Sequence, residues 1–254
     1  MTTTLRGLAG LLGFLVLWEV FSRSGIVAQQ YFPPPSTVLV RFVELLGDRG
    51  FLLDLIASVL AWAIALGISI AIAVPAGLLL GSVRAIRVAT RAIIEFLRPI
   101  PSVALIPLAV VLVGAGPETK ISLAVYASVW PILFNTIYAF DEIDPVMVDT
   151  ARSFGLGRGR VMFTVALPNS APFVLTGIRM SAAVALILVV STEFLAGGSG
   201  LGSFVLDAST GAGRMDLVLA GTLVAGIVGY LINEALELLH RRGLRWAAVG
   251  TEAS

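Results

Sequence analysis

The stretch "VDTARSFGLGRGRVMFTVALP", Val148–Pro168, decides how the rest of the chain is read. It places three arginines, one aspartate and three glycines in close order within an otherwise greasy sequence. Its first half, with the residues just before it, is amphipathic. Ile143, Met147, Ala151 and Phe154 fall at steps of four, four and three and share one apolar helix face, with Asp149 and Arg152 on the other side. Asp144, just before Pro145, suits the start of that helix. Gly155 fits its C-terminal cap, because glycine takes the left-handed backbone conformation cheaply. Gly157 and Gly159 make a turn, and a second short apolar stretch from Val161 to Leu167 ends at Pro168. The pattern predicts two short helices joined by a hinge and packed by Met147, Phe154 and Phe163. They are too short to span a membrane and too apolar to float free. One face should pack on the chain's own bundle and the other should meet a partner.

The surroundings explain why such a segment stands out. Of 254 residues 57% are hydrophobic and only 13% charged, with a mean hydropathy of +0.97. A soluble domain carries about a quarter charged residues, so the composition is that of an integral membrane protein. The net charge of +1 argues against nucleic acid as a partner. Cysteine is absent, which excludes disulfides, thiolate metal sites and cysteine nucleophiles. The single histidine, His240, lies beside Arg241 and Arg242 and reads as solvated or headgroup-facing, not as a metal ligand.

A helical span needs about 20 mostly apolar residues, and six segments qualify: 7–27, 53–81, 91–114, 119–140, 171–196 and 215–238. They are too long and too continuously apolar for the alternating strands of a membrane barrel. The first apolar run has no convincing cleavage site after it and reads as a retained span. With the N-terminus inside, the inner segments hold ten arginines and the outer ones hold five basic residues, including the only lysine, Lys120. Positive charge favours the cytoplasm, which predicts that both termini and the Val148–Pro168 segment are cytoplasmic.

Between spans one and two, "YFPPPSTVLVRFVELLGDRG" (31–50) predicts a short helix lying at the outer interface, with Ser36 as N-cap and Val38, Phe42, Leu45 and Leu46 on one face. Span two carries a small residue at every fourth position: Ala57, Ala61, Ala65, Ser69, Ala73, Gly77 and Gly81. Small residues let helices approach closely in lipid. Four residues overshoot one 3.6-residue turn, so only part of the row is expected to face one neighbour. Span three contains Pro99, Pro101 and Pro107 and is expected to be broken and bent there, and Glu95 and Arg98, three apart, can pair. Ionisable and polar groups inside a membrane are costly and tend to line something. Arg98, Pro101, Asn135, Arg179 and Glu193 are therefore candidate pathway residues, with interhelical bonding or an ordinary interfacial ion pair as the competing role. Arg179, about two turns past Pro172, can snorkel inward. After Glu193 the glycine-rich loop "AGGSGLGS" lacks a lysine and is not a phosphate loop.

Asp149-Thr150-Ala151, three residues, Gly155, nine residues, then Val165-Ala166-Leu167-Pro168 resembles the "EAA" cytoplasmic loop of ABC-importer permeases. In the family pattern Glu-Ala-Ala is followed after three residues by Gly, after nine more by Ile, and after one more by Leu-Pro. The spacing holds throughout, with Asp149 in place of Glu and Thr150 in place of the first Ala. The stretches "RPIPSVALIPL", "WPILFNTIYAF", "LTGIRMSAA" and "EFLAGGSGLGSFVLDA" fit as well, and resemble the branch that imports nitrate, sulfonates and taurine.

The resemblance implies an all-α integral membrane protein with the type I ABC-importer permease fold in the bacterial inner membrane. It further implies a pair of permeases, most simply two copies of this chain, two ATP-binding cassette subunits, and an extracytoplasmic substrate-binding protein. ATP and Mg would sit on the partner ATPase, and no cofactor is expected on this chain. The residues it assigns to ATPase coupling are Asp149, Thr150, Ala151, Arg152, Ser153, Phe154, Gly155, Leu156, Gly157, Leu167 and Pro168. The expected layout is a first transmembrane helix in 1–30, an external interfacial segment in 31–50, a permease core in 51–245, and a cytoplasmic tail in 246–254. The core holds the coupling loop 141–168 and an external loop 196–214. A stand-alone channel or secondary carrier would show inverted repeats with two matching broken spans, and a membrane enzyme a cluster of catalytic side chains.

Overall fold

Long apolar runs without alternation can satisfy their backbone in lipid only as helices, and helices are what form. The computed structural model describes the backbone of residues 2–211 and 213–243, and the side chains of 5–210 and 213–242. Arg245 and the expected tail 246–254 lie outside the described residues. The helices are α1 (Thr2–Arg23), α2 (Pro35–Gly47), α3 (Arg49–Ser82), α4 (Arg84–Leu97), α5 (Ile106–Val113), α6 (Pro117–Asp141), α7 (Pro145–Ser153), α8 (Arg158–Val161), α9 (Leu167–Ala196), α10 (Leu201–Gly211) and α11 (Met215–Gly243). Five helical runs are long and apolar enough to cross a membrane, and six if α4 and the stretch Ser102–Val113 count as one bent span. The described residues up to Ser58 group with Val190–Val228 as one compact unit. Val59–Val189 and the described residues from Gly229 form the other.

In the first unit α1 is anchored to the start of α2. Ser22 Oγ donates to the Phe32 carbonyl at 2.5 Å, and Phe32 packs against Trp18 and Phe21. Ser36 is not the N-cap of α2. Pro34 holds that position, with Pro35 as the first helical residue, and no side chain caps the helix locally. The free Ser36 N–H is instead accepted by Glu19 of α1 at 3.1 Å, and the Ser36 hydroxyl donates to the same carboxylate at 2.8 Å. An N–H left over at a helix start needs an acceptor from somewhere. Here a neighbouring helix supplies it. Val38 and Leu45 are buried with Phe51, Leu201, Ala220 and Val224, and Phe42 packs on them. Leu46, expected on the same face, is exposed. Arg41 bonds Glu44 and reaches Asp216 at 2.8 Å. The hydrogen bond to Glu44, then the one to Asp216, raises its pKa above the usual value for arginine.

In the second unit the small-residue row does more than its period suggests. From Ala61 to Gly81 all six of its members are buried, and they lie along α6. Ala61 and Ala65 share a cluster with Ala124 and Ala127, and Ser69 Oγ is 2.7 Å from Ser128 Oγ. Ala73 packs with Ile132 and Leu133. A Cβ at Gly77 would lie 2.5 Å from Thr136 Cβ, and one at Gly81 would run into the Phe140 ring. The contacts advance together along both helices, so α3 and α6 run parallel. A four-residue row drifts around one helix, but two such rows stay together if the helices coil right-handedly about each other. Because nothing larger than hydrogen fits at Gly77, Gly77→Leu should prevent this seam from closing. The expected result is loss of monodisperse protein in size-exclusion chromatography; a normal elution profile would contradict the seam.

The third expected span is broken, as its prolines predict. It breaks after Leu97 and resumes as a 3-10 turn at Ser102–Leu105 leading into α5, with the two parts at 70°. Pro99 and Pro101 fall in the break and Pro107 in the first turn of α5. Two prolines that close together remove donors from one turn and restrict the residues before them, so the helix ends there.

Candidate functional site

The segment Asp141–Pro168 is built by its ends. Asp144 caps α7, its Oδ1 accepting the Val146 N–H at 2.8 Å, with Pro145 in the position where no N–H is needed. At the other end Gly155 adopts φ +78°. Its N–H reaches the Arg152 carbonyl at 2.8 Å, and the Leu156 N–H reaches Ala151 at 3.1 Å. That pair of bonds is the Schellman closure of a helix C-terminus. The chain turns there, as the glycine predicts, but Gly157 and Gly159 do not share a turn. Gly157 is the N-cap of α8 and Gly159 lies inside that helix.

Nor does a second short helix end at Pro168. A π-helical turn, Met162–Ala166, joins α8 to α9, so the run carries on through Pro168 into the membrane span. Proline cannot donate to the preceding turn. A wider turn just before it, with bonds reaching five residues back, accommodates the gap without stopping the helix.

The packing also differs from the amphipathic reading. Ala151, Val161 and Ala166 are buried, whereas Met147 is 46% exposed, Phe163 72% and Phe154 82%. Val146 is exposed as well. The three residues expected to pack the segment are thus exposed apolar positions on it. Its underside is not filled. A cavity of about 670 Å³ opens between α7, α8 and the ends of α3 and α6, lined in part by Ser82, Phe140, Val148, Arg152, Arg158 and Met162. Asp149 faces Arg152 at 3.7 Å, both largely exposed. Such a pair is worth about 0–1 kcal/mol and does not fix the helix.

The candidate pathway residues separate. Arg98 does not pair with Glu95, which binds Arg91 at 2.7 Å. Arg98 keeps a helical backbone at the end of α4, and its guanidinium sits over the Phe134 ring, 4.3 Å from the centroid. Pro101 is the extended residue that opens the 3-10 turn. Asn135, next to Phe134, donates to its own helix at the Pro131 carbonyl (2.8 Å) and approaches Met180 Sδ at 3.9 Å. Arg179 donates to Asn233 at 2.9 Å and pairs with Glu237, both on α11. Its role is therefore an interhelical tie rather than a reach along its own helix.

Glu193 is 1% exposed. Its carboxylate accepts from the Ser58 hydroxyl at 2.7 Å and from the Gly202 N–H at 3.1 Å. The Leu201 N–H bonds Ser58 Oγ and the Gly200 N–H bonds Asp54, both at 2.8 Å. The glycine-rich loop is thus folded onto α3 and α9 at the N-terminus of α10, where a carboxylate is favoured. Gly200, at φ +128°, has no room for a Cβ, which would fall on the Glu193 carboxylate. Gly200→Ala is expected to lower the unfolding temperature by about 5 °C or more, readable by thermal shift in detergent. No change would mean that the clasp does not constrain the loop. Ser58 and Asp54 carry no signal in the sequence, since they lie far from the loop they hold. The aromatic residues at Tyr126, Trp130, Phe134 and Tyr138 did carry one, a strict four-residue spacing. Among the described residues no cluster of three or more His, Cys, Asp or Glu could hold a metal ion.

Comparison with known proteins agrees with this architecture. The sequence pattern of the family described as "binding-protein-dependent transport system inner membrane component" matches residues 70–243. The taurine transport system permease protein TauC of Escherichia coli (strain K12) is 30% identical over 237 residues, covering 91% of this chain and 86% of that protein. The bicarbonate transport system permease protein CmpB of Synechococcus elongatus is 29% identical over 250 residues, covering 94% and 88%. In fold, the chain resembles the methionine ABC transporter MetNI in an inward-facing form. That match has a TM-score of 0.66 at 18% identity, over 77% of this chain and 98% of that one. It also resembles a bacterial ABC transporter that imports alginate, with a TM-score of 0.65 at 16% identity over 95% and 96%. With its helical spans and its match over most of its length, the chain belongs to the family of binding-protein-dependent transport system inner membrane components, as a multi-pass permease subunit of an ABC importer that is not itself an enzyme.

Proposed function

We propose that this permease works as a pair of identical chains, each gripped by a separate cytoplasmic ATPase through the 141–168 loop. In this reading both termini are cytoplasmic. The coupling residues are Asp149 to Gly157 with Leu167 and Pro168, and ATP and Mg are held entirely by the ATPase. One observation carries the proposal: Phe154 stands 82% exposed at the end of α7, directly before the glycine that turns the chain. With Val146, Met147 and Phe163, all exposed, it offers an apolar knob of the size that a cleft on another protein can bury. The space beneath α7 leaves the helix free to tilt as a unit when that partner moves. Near-complete reversal of a two-state assembly takes about 5.5 kcal/mol of differential binding, a source that ATP at the partner can provide.

The cargo in this reading is a small anionic or polar solute handed over by an extracytoplasmic binding protein, as the names of the taurine and bicarbonate relatives suggest. Arg98, Pro101, Asn135, Arg179 and Glu193 remain the candidates for shaping its path, the last two through the contacts that hold their helices. Affinity purification of the tagged permease tests the core of the proposal. An ATPase should co-elute in equal amount, and its absence would count against a stable grip through the 141–168 loop. Ligand binding by the cognate binding protein, tried on nitrate, sulfonates, taurine and bicarbonate, identifies the cargo.

A further inference from the structure

Every fourth residue of α6 from Tyr126 to Tyr138 is aromatic, and consecutive rings meet. The centroids of Tyr126 and Trp130 are 5.9 Å apart, Trp130 and Phe134 6.5 Å, Phe134 and Tyr138 6.1 Å. The break between α4 and α5 is tied to this ladder. The Tyr126 hydroxyl donates to the Leu97 carbonyl at 2.8 Å, and the next residue, Arg98, lays its guanidinium over Phe134. Arg98 is exposed, and its nearest acidic neighbour in sequence, Glu95, is taken by Arg91. Among the described residues its guanidinium has an aromatic face under it and no carboxylate against it.

Depth makes this unusual. Phe134 lies seven residues before Asp141, where Arg87 and Asp141 pair at 2.8 Å. Seven residues are about 10 Å along the axis, so Arg98 sits well inside the apolar part of the bundle. An arginine facing hydrocarbon at that depth is costly, and such residues line water-filled space or meet another chain. A ring contact of this kind leaves the guanidinium charged, with N–H donors in a planar fork available for two parallel bonds to an oxyanion. A ring beneath the cation also restrains its direction without neutralising it.

We propose that Arg98, held over Phe134, is an anion-binding station on the translocation path, matched to the carboxylate, sulfonate or nitrate end of a small solute. The inference rests on the importer reading above. A station on a path must bind weakly enough to release, so the test reads weak binding directly. Saturation-transfer NMR is recorded on the methyl protons of methanesulfonate, added to the permease–ATPase complex in nanodiscs at constant ionic strength. Choline serves as the cationic probe. The wild type should show saturable transfer to methanesulfonate and none to choline that depends on Arg98. Arg98→Gln should weaken methanesulfonate binding by about tenfold or more. Phe134→Leu, which keeps the charge and loses the platform, should weaken it by a smaller factor and carries the test if the first variant fails to assemble. Absence of transfer in the wild type, as when a carboxylate of the second copy occupies Arg98, overturns the proposal. So does equal binding by wild type and Arg98→Gln. In either case a retained ATPase shows that the importer reading survives, whereas loss of the ATPase from the wild-type preparation counts against that reading itself.

Discussion

Phe154→Asp is expected to strip the ATPase from the purified complex while leaving the permease folded. The side chain is 82% exposed, so its replacement removes almost no internal packing, and surface substitutions of that kind usually stay within about 0.5 kcal/mol. At an interface the same residue type behaves differently. Buried aromatic anchors cost about 2 kcal/mol or more when truncated, and a carboxylate driven into an apolar cleft adds its own desolvation cost. A loss of about a hundredfold in affinity, near 2.7 kcal/mol, is the expected size. Co-elution of ATPase with tagged permease measures it, with thermal shift as the control on folding. Undiminished co-elution would remove Phe154 from the contact.

Gly155→Val should leave the protein inserted but break the link between loaded binding protein and ATP hydrolysis. No atom lies within 4 Å of the place a Cβ would occupy, so crowding is not the reason. The reason is φ +78°, a conformation that costs about 1–2 kcal/mol for an ordinary residue and is a true outlier for a β-branched one. The helix end then prefers another path, the Gly155–Arg152 and Leu156–Ala151 bonds open, and Phe154 points elsewhere. Asparagine tolerates the left-handed region better than other residues, so Gly155→Asn should recover much of the stimulation. Full substrate-stimulated ATPase activity in the valine variant would show that the turn is dispensable.

Gly155 lies where the sequence was most readable. Asp144, Pro145 and Gly155 mark their helix ends by chemistry that acts within a few residues, and local chemistry survives folding. The facing of side chains was less readable. Met147, Phe154 and Phe163 are apolar, and in an isolated chain apolar means inward; here the chain's own bundle does not cover them. The same limit explains Ser36 and Arg98. A cap can be supplied from another helix, as Glu19 does, and a nominal i,i+3 ion pair can give way to an i,i+4 partner on one side and an aromatic ring on the other. The Ala61–Gly81 row shows the converse, since its period alone understates a contact that two helices keep by winding together.

The π turn at Met162–Ala166 has a consequence for phase. A π turn absorbs one residue more than an α turn, so the residues upstream stand about 100° from where the same sequence would place them in an unbroken α-helix, and the run is about 1.5 Å shorter. The compass bearing of the Phe154 knob, as seen down the axis of α9, is therefore set by a single surplus residue. Deleting Thr164, which is exposed, would remove the surplus residue and leave the bearing nearly unchanged, whereas closing the turn to ordinary pitch with every residue kept would swing the knob by about that same 100°. In the coupling reading proposed above, the turn works as a keyway: it fixes the angle at which a torque applied outside the membrane is delivered to the shaft inside it.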